Sequence, residues 1–447
     1  MAGIKAAQAG LNTVVIEKER LGGVCLNWGC IPTKALLRNA ELFEALGHAD
    51  ELGFKVGKLG FDTGKIVERS RGVADRMNKG VGSLFRKYKV GHMEGTARFT
   101  GPKRLEVVDA AGKATPVEAS HFIIATGAKP REMAAFPVDH KRVLTYRDAL
   151  VLKKLPKSML VVGGGAIGVE FAYYFSTFGV EVHLVEMLDH LLPPEDAEIG
   201  ALLEKAFVKK GIHCHTATRV ENFKVSGSKV SATLKGAKGD TPVECETALI
   251  AIGMAAAVEG LGLEQCGVAL DKGVIKVDQA MRTTVPNIYA IGDVTGRQML
   301  AHKASAEAEA AIAAIAGHAP LPVDYGQIPA CTYAQPQVAS VGLHEEACKA
   351  RGLKYRVGKF PFMASGKAQA IGHGDGMVKL IFGEPHGELL GAHMIGPEVT
   401  ELLAELGLAM RLEATYEEIL ATVHAHPTLS EAIFEATGAA YGVSANF

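Results

Sequence analysis

Short apolar runs rich in Val and Ile alternate with Ala-rich stretches through the first three quarters of the chain. That rhythm predicts parallel strands covered by helices, an α/β fold. The clearest unit starts at Ser158-Met-Leu-Val-Val and passes through Gly163-Gly-Gly-Ala-Ile-Gly168. It continues as an apolar helix to Phe178-Gly179 and ends in the strand Val180-Glu-Val-His-Leu-Val-Glu186. Half of this pattern recurs at the start, as a helix-like Ile4 to Gly10 and a strand-like Leu11 to Glu17. Gly10 and Gly179 stand 169 positions apart, and so do Glu17 and Glu186. The same offset places the counterparts of Gly163, Gly165 and Gly168 just upstream of Met1, where a first strand and glycine loop are expected.

Three further strand-like runs close on glycine: Glu106 to Ala125 leading into Thr126-Gly127, Ala248 to Gly253, and Asn287 to Asp293. Each resembles a parallel strand stopping at a ligand edge. An Ala/Glu-rich helical run from His302 to Ala316 precedes the proline-dense linker Gly317 to Asp324. Strands and helices mix beyond it, as in a separate α+β domain. The expected divisions are 1–133, 134–255, 256–325 returning to the first, and 326–447.

Composition narrows the function classes. Lys and Arg number 48 against 49 Asp and Glu, so no bulk field attracts nucleic acid or anionic lipid. The first residues lack a basic head and a long apolar core, and no apolar run approaches the roughly 18 residues of a membrane span. The expected protein is intracellular, with neither a nucleic-acid nor a membrane partner. Its seven cysteines are too few and too scattered for a disulfide framework.

Three motifs carry chemistry. Gly163-x-Gly165-x-x-Gly168 between strand and helix suits a dinucleotide pyrophosphate, which needs close backbone approach and free N–H groups at a positive helix end. Glu186 stands where a carboxylate meets an adenosine ribose hydroxyl, and Met187 to Leu192 offer no Arg or Lys for a 2′-phosphate. That favours NAD over NADP. The stretch Gly22-Gly-Val-Cys25-Leu-Asn-Trp-Gly-Cys30-Ile-Pro-Thr-Lys34 sets two cysteines five residues apart in what reads as a glycine-rich turn before a helix start. Packing, a zinc site and a redox pair all remain open for it, although no second close Cys pair completes four zinc ligands, and no metal site is expected. The redox reading gains from Pro32 in the first helical turn and from a helix dipole that favours a thiolate on Cys30. His424-Ala-His426-Pro-Thr-Leu-Ser-Glu431 pairs a base with a carboxylate. The plainer alternative is a histidine at a helix start capped by Thr428 or Ser430.

In this order, the cysteine stretch, the second glycine fold, the Ile291-Gly-Asp293 strand end and the His424–Glu431 motif resemble the pyridine nucleotide–disulfide oxidoreductases over essentially the whole chain. The resemblance implies two Rossmann-like domains, for FAD and for NAD, and a C-terminal α+β dimerisation domain. It implies a Cys25–Cys30 redox disulfide in which Cys25 exchanges with a dithiol and Cys30 faces the flavin. Lys34 would lie near the flavin, paired with Glu170. Glu17, Thr126, Gly127 and Asp293 would contact FAD, and Gly163, Gly165, Gly168, Glu186 and Gly253 would contact NAD. His426, oriented by Glu431, would be the acid–base catalyst, contributed to the other subunit of a homodimer. The implied reaction oxidises protein-bound dihydrolipoamide, making lipoyl domains of 2-oxoacid dehydrogenase complexes the partners and bacterial cytoplasm or an organelle matrix the compartment.

The ending Tyr441 to Phe447 lacks the cysteine pair of mercuric reductases, and the absent basic residues argue against glutathione reductases. Two features depart from the family pattern: the first glycine loop, and the run Met254-Ala-Ala-Ala-Val-Glu-Gly260 in place of an Arg- and Pro-containing turn. A chain without the loop has the alternative of a flavin-free NAD-binding protein.

Overall fold

The run Ser158-Met-Leu-Val-Val has Met159 through Val162 buried, as expected of a strand covered on both faces. The computed structural model describes residues 1–237 and 239–446. The elements that position the sites are, in chain order, α1 (Ala2–Gln8), β1 (Val14–Glu17), α2 (Gly23–Trp28), α3 (Cys30–Gly47), α4 (Thr63–Tyr88), β2 (Gly91–Glu94), β3 (Phe122–Ile124), β4 (Val143–Leu144) and β5 (Ser158–Val162). They continue as α5 (Ala166–Thr177), β6 (Glu181–Val185), α6 (Ala197–Lys209), β7 (His213–His215), β8 (Thr247–Ile250), β9 (Ile288–Ala290) and α7 (Ala301–Ile315). The last part holds β10 (Ala330–Thr332), β11 (Gln337–Gly342), β12 (Tyr355–Pro361), β13 (Met377–Gly383), β14 (Leu389–Gly396), α8 (Val399–Arg411) and α9 (Glu431–Tyr441).

The chain divides into two compact units. The first comprises Met1–Ala35, Lys65–Arg131 and Gly253–Tyr325. In it, β1 pairs in parallel with β2, and β3 with β9. Among the described residues no strand pairs with both β1 and β3. Side chains of the two pairs nevertheless share one apolar cluster, with Phe122, Ile124, Ile288 and Ala290 at its centre and Ile16 and Met93 packed against it. The stretch expected as a single strand over 106–125 is instead a hairpin, Arg104–Val108 with Ala114–Glu118, followed by β3. Asp109 explains the turn, because its carboxylate accepts the Ala111 and Lys113 N–H groups at 2.9 Å each.

The second unit comprises Leu36–Gly64, Glu132–Ile252 and Gly326–Phe447. Its parallel sheet has the order β7-β6-β5-β8-β4, with β5 in the centre. Leu160, Val162, Val185, Ala248 and Ile250 pack against Val230, Ala232, Leu234 and Val243 of an antiparallel meander. A five-stranded antiparallel sheet, β10-β11-β14-β13-β12, carries α8 and α9 on its apolar face. The ammonium of Lys379 on β13 donates to both oxygens of Asp196, which caps α6, at 3.0 and 2.9 Å. No helix among the described residues is long and apolar enough to cross a membrane.

Candidate redox and nucleotide sites

In the first unit, the cysteine stretch is more ordered than a glycine turn. Gly22 at φ +99° turns the chain in a conformation that L side chains rarely adopt, and a Cβ there would come within 2.6 Å of the Leu26 side chain. The following residues form α2, which contains Cys25. Buried Asn27 holds the turn, its Nδ2 donating to the carbonyls of Leu21 and Gly23 at 3.0 Å each. From α4, Arg71 lays its guanidinium 4.4 Å from the Trp28 ring centre and donates to the Asn27 carbonyl. Ser70 donates to the Pro32 carbonyl at 2.8 Å. Local sequence alone would not keep six residues helical; contacts from α4 do.

Cys30 is the first residue of α3, at the positive end of the helix dipole. The Cys25 thiol is half-buried and hydrogen-bonded with Cys30. That bond, then burial, then a charge on Cys30 push the Cys25 pKa far up, and the Lys34 ammonium works against them. Once one thiol of the pair is ionised, the other is strongly held as a thiol.

Asp293 lies in the 3₁₀ turn Gly292–Thr295 after β9. Burial raises its pKa, Lys303 opposing and Glu307 adding to the rise. Its carboxylate accepts no hydrogen bond among the described residues. Behind the turn, Glu307 accepts the Gly292 N–H at 2.6 Å and the Tyr325 hydroxyl at 2.8 Å. Lys303 donates to the Gly292 carbonyl at 3.0 Å and to Glu307 at 3.2 Å, both side chains being fully buried. Glu17, at the end of β1, accepts the Glu19 N–H at 2.8 Å. Thr126 donates to the Ala257 carbonyl at 2.8 Å, and Gly127 accepts the Ala257 N–H at 2.9 Å. Glu17 and Asp293 offer acceptors that fit the hydroxyls of a flavin dinucleotide's ribose and ribitol.

In the second unit, β5 delivers the glycine loop to the start of α5. Gly163 has φ +109°, and a Cβ on Gly168 would lie 1.9 Å from the Gly163 carbonyl oxygen. No other residue fits there without moving the helix off the loop. A Cβ on Gly165 would meet nothing, leaving open space at the helix N-terminus. Buried Glu186 accepts the Gly164 N–H at 2.7 Å and the Leu188 N–H at 2.9 Å. Each oxygen keeps acceptor capacity for a ribose hydroxyl, so this cradle fits a nicotinamide dinucleotide. Gly253 falls in the first unit, its carbonyl accepting the Arg131 N–H at 3.0 Å. Glu170, buried in α5, accepts the Tyr333 N–H at 3.0 Å and belongs to the second unit, whereas Lys34 belongs to the first.

The two histidines of the C-terminal motif have different surroundings. His424 is buried and bound to Glu405 at 2.8 Å and to the Thr422 carbonyl at 3.0 Å. The His426 side chain is 80% exposed, and its Nδ1 lies 2.9 Å from Glu431 Oε1. The expected capping hydroxyls do not cap α9: Thr428 binds the Ala425 carbonyl, and Ser430 makes no cap bond. Glu431 Oε2 accepts the Thr428 N–H at 2.8 Å, in the turn before the helix. Desolvation opposes its ionisation, but this N–H and then His426 hold its pKa below the ordinary value. A carboxylate held on Nδ1 fixes the imidazole tautomer and leaves Nε2 outward.

Comparison with known proteins decides the lineage. Residues 1–308 match the profile described as "Pyridine nucleotide-disulphide oxidoreductase", and residues 328–437 match its dimerisation domain. The chain belongs to that family. Among its curated relatives, this pyridine nucleotide–disulphide oxidoreductase is 47% identical to a dihydrolipoyl dehydrogenase of Chlorobaculum tepidum, over 97% of this chain and 93% of the relative. It is 46% identical to one from Zymomonas mobilis, over 100% and 96%. Of solved structures, LpdA from Mycobacterium tuberculosis superposes with a TM-score of 0.90 at 28% identity, covering 98% of this chain and 96% of that one. The α/β class, the dinucleotide-binding and dimerisation domains, and FAD- and NAD-dependent redox chemistry expected from the sequence are borne out.

Several supporting residues of this family member escaped the sequence. Asn27, Arg71 and the Lys303–Glu307 pair carry no local motif, although the i,i+4 spacing of Lys303 and Glu307 in an alanine-rich helix was a signal.

Proposed function

We propose that the protein oxidises dihydrolipoamide carried on lipoyl domains of a 2-oxoacid dehydrogenase or glycine-cleavage complex, in bacterial cytoplasm or an organelle matrix. The observation that carries this reading is the Cys25–Cys30 thiol pair at the start of α3. FAD would supply an acceptor for the electron pair of the reduced cysteines, and NAD an acceptor for the hydride that follows. Glu17, Lys34, Thr126, Gly127 and Asp293 would hold FAD. Gly163, Gly165, Gly168 and Glu186 would hold NAD.

His426, contributed by the second copy of a homodimer and fixed by Glu431, removes a proton from one thiol of the substrate. That thiolate attacks the Cys25 sulfur of the oxidised pair, and Cys30 leaves as a thiolate favoured by the helix start and Lys34. The second substrate thiol, deprotonated in turn, displaces Cys25. Lipoamide departs as the disulfide, and both cysteines stay reduced.

His426→Gln tests this directly. Lipoamide turnover should fall about 10²-fold or more, the scale of lost acid–base catalysis, while NADH oxidation by an artificial acceptor stays near wild type. Equal loss of both would sink the assignment and point to folding or assembly.

A further inference from the structure

The geometry points to a binding site for one divalent transition-metal ion at the edge of the nucleotide-binding sheet, formed by Glu181, His183 and His213. Strands β6 and β7 are parallel neighbours in which His183 pairs directly with His213. With side chains alternating at period two, Glu181 and His183 share a face of β6, and His213 and His215 share the same face of β7. Three imidazoles and a carboxylate thus gather at the open edge of the sheet.

One donor atom each from Glu181, His183 and His213 lies within 4.8 Å of the other two. The His183 and His213 rings are stacked, 4.7 Å between centres and 20° between planes. Ligands bound to a tetrahedral Zn²⁺ at 2.0–2.1 Å sit about 3.4 Å apart, so side-chain rotation of roughly 1 Å closes the set without moving either strand. His183 is already held on both sides. Its Nε2 is 3.6 Å from a Glu181 oxygen, and its Nδ1 is 3.2 Å from His215 Nε2. With the ion on Nε2, the proton resides on Nδ1 and is donated to His215, which becomes the outer partner that aims the ligand. Two imidazoles and one carboxylate select Zn²⁺, Cu²⁺ or Ni²⁺ over Mg²⁺ or Ca²⁺, and leave a position for water. An ion there would tie the edge strand β7 to β6, the strand that leads into Glu186.

The test uses the full-length, tag-free flavoprotein carrying Cys25→Ser and Cys30→Ser, because a reduced dithiol would itself capture zinc. Zn²⁺ is titrated in competition with a chromophoric chelator. One ion per chain is expected, unaffected by excess Mg²⁺, with the dissociation constant rising at least tenfold in His213→Ala and in Glu181→Gln. Both side chains are exposed, and an unchanged melting temperature without metal verifies that each variant is folded. Failure to bind one equivalent below millimolar Zn²⁺, or binding that both variants leave unchanged, overturns the site.

Discussion

The two dinucleotide-binding halves differ at their centre. In the second unit β5 lies between β6 and β8, so the strand that delivers the glycine loop also bridges the sheet. In the first unit β1 pairs with β2, and β3 with β9. Cradle and sheet are therefore one element in the second half. In the first unit the Asp293 turn is backed by side chains: the Phe122–Ile124–Ile288 cluster, and the polar frame of Glu307 and Lys303.

Four perturbations sharpen this contrast. Cys30→Ser should lower lipoamide turnover by about 10³-fold or more, yet leave NAD affinity intact. Loss of both would break the assignment of thiol chemistry to one half and nucleotide capture to the other. Gly168→Val should weaken NAD binding about 100-fold, or ~2.7 kcal/mol, by forcing α5 off the Gly163 carbonyl. Titration of Cys25 and Cys30 with a disulfide reagent should not change. Glu307→Ala strands the buried Lys303 ammonium, the Gly292 N–H and the Tyr325 hydroxyl. Urea unfolding should register a loss of about 3–5 kcal/mol, with flavin retention falling and NAD affinity unmoved.

The smallest effect is a pH dependence of opposite sign in the two halves. Asp196 has a lowered pKa: desolvation opposes ionisation, but the Lys379 bond outweighs it. Its contribution to stability is present above the ordinary value of 3.8 and is lost as pH falls through the lower folded value. Asp293 has a raised pKa, so its contribution is present below 3.8 and is lost as pH rises through the folded value. In the flavin-free protein Asp293→Asn should therefore slightly raise the urea midpoint at pH 7, an advantage that disappears below about pH 4. Asp196→Asn should lower the midpoint at pH 7. A midpoint that falls in Asp293→Asn would contradict the view that this turn is kept for ligand binding at a cost in stability.

The second half was legible because its signals are local. Glycine spacing, a strand buried on both faces and a following apolar helix all fall within thirty residues, and Glu186 stands where the spacing put it. The motifs at Cys25 and Cys30 and at His426 and Glu431 were equally readable. Their supports were not. The helical form of Gly23–Trp28 depends on Arg71 and Ser70 from α4, more than thirty residues on, and nothing near the glycines announces them. At the C-terminal motif neither expected hydroxyl caps α9, and Glu431 instead accepts the Thr428 N–H of the preceding turn. Asp109 bent an expected strand into a hairpin for the same kind of reason: one side chain meeting two N–H groups. His183 and His213 stand thirty positions apart and become neighbours only through strand pairing.

The exposed imidazole of His426 has a genetic consequence. Its own chain orients it through Glu431 and then presents it to solvent, so on the proposed reading each chain lends its base to the other copy. A chain disabled at Cys30 and a chain disabled at His426 are both silent as homodimers. Co-expressed, they pair into a heterodimer with one intact centre and one doubly damaged one, so each mixed dimer would have half the activity of a wild-type dimer, and random pairing of two null alleles would restore about a quarter.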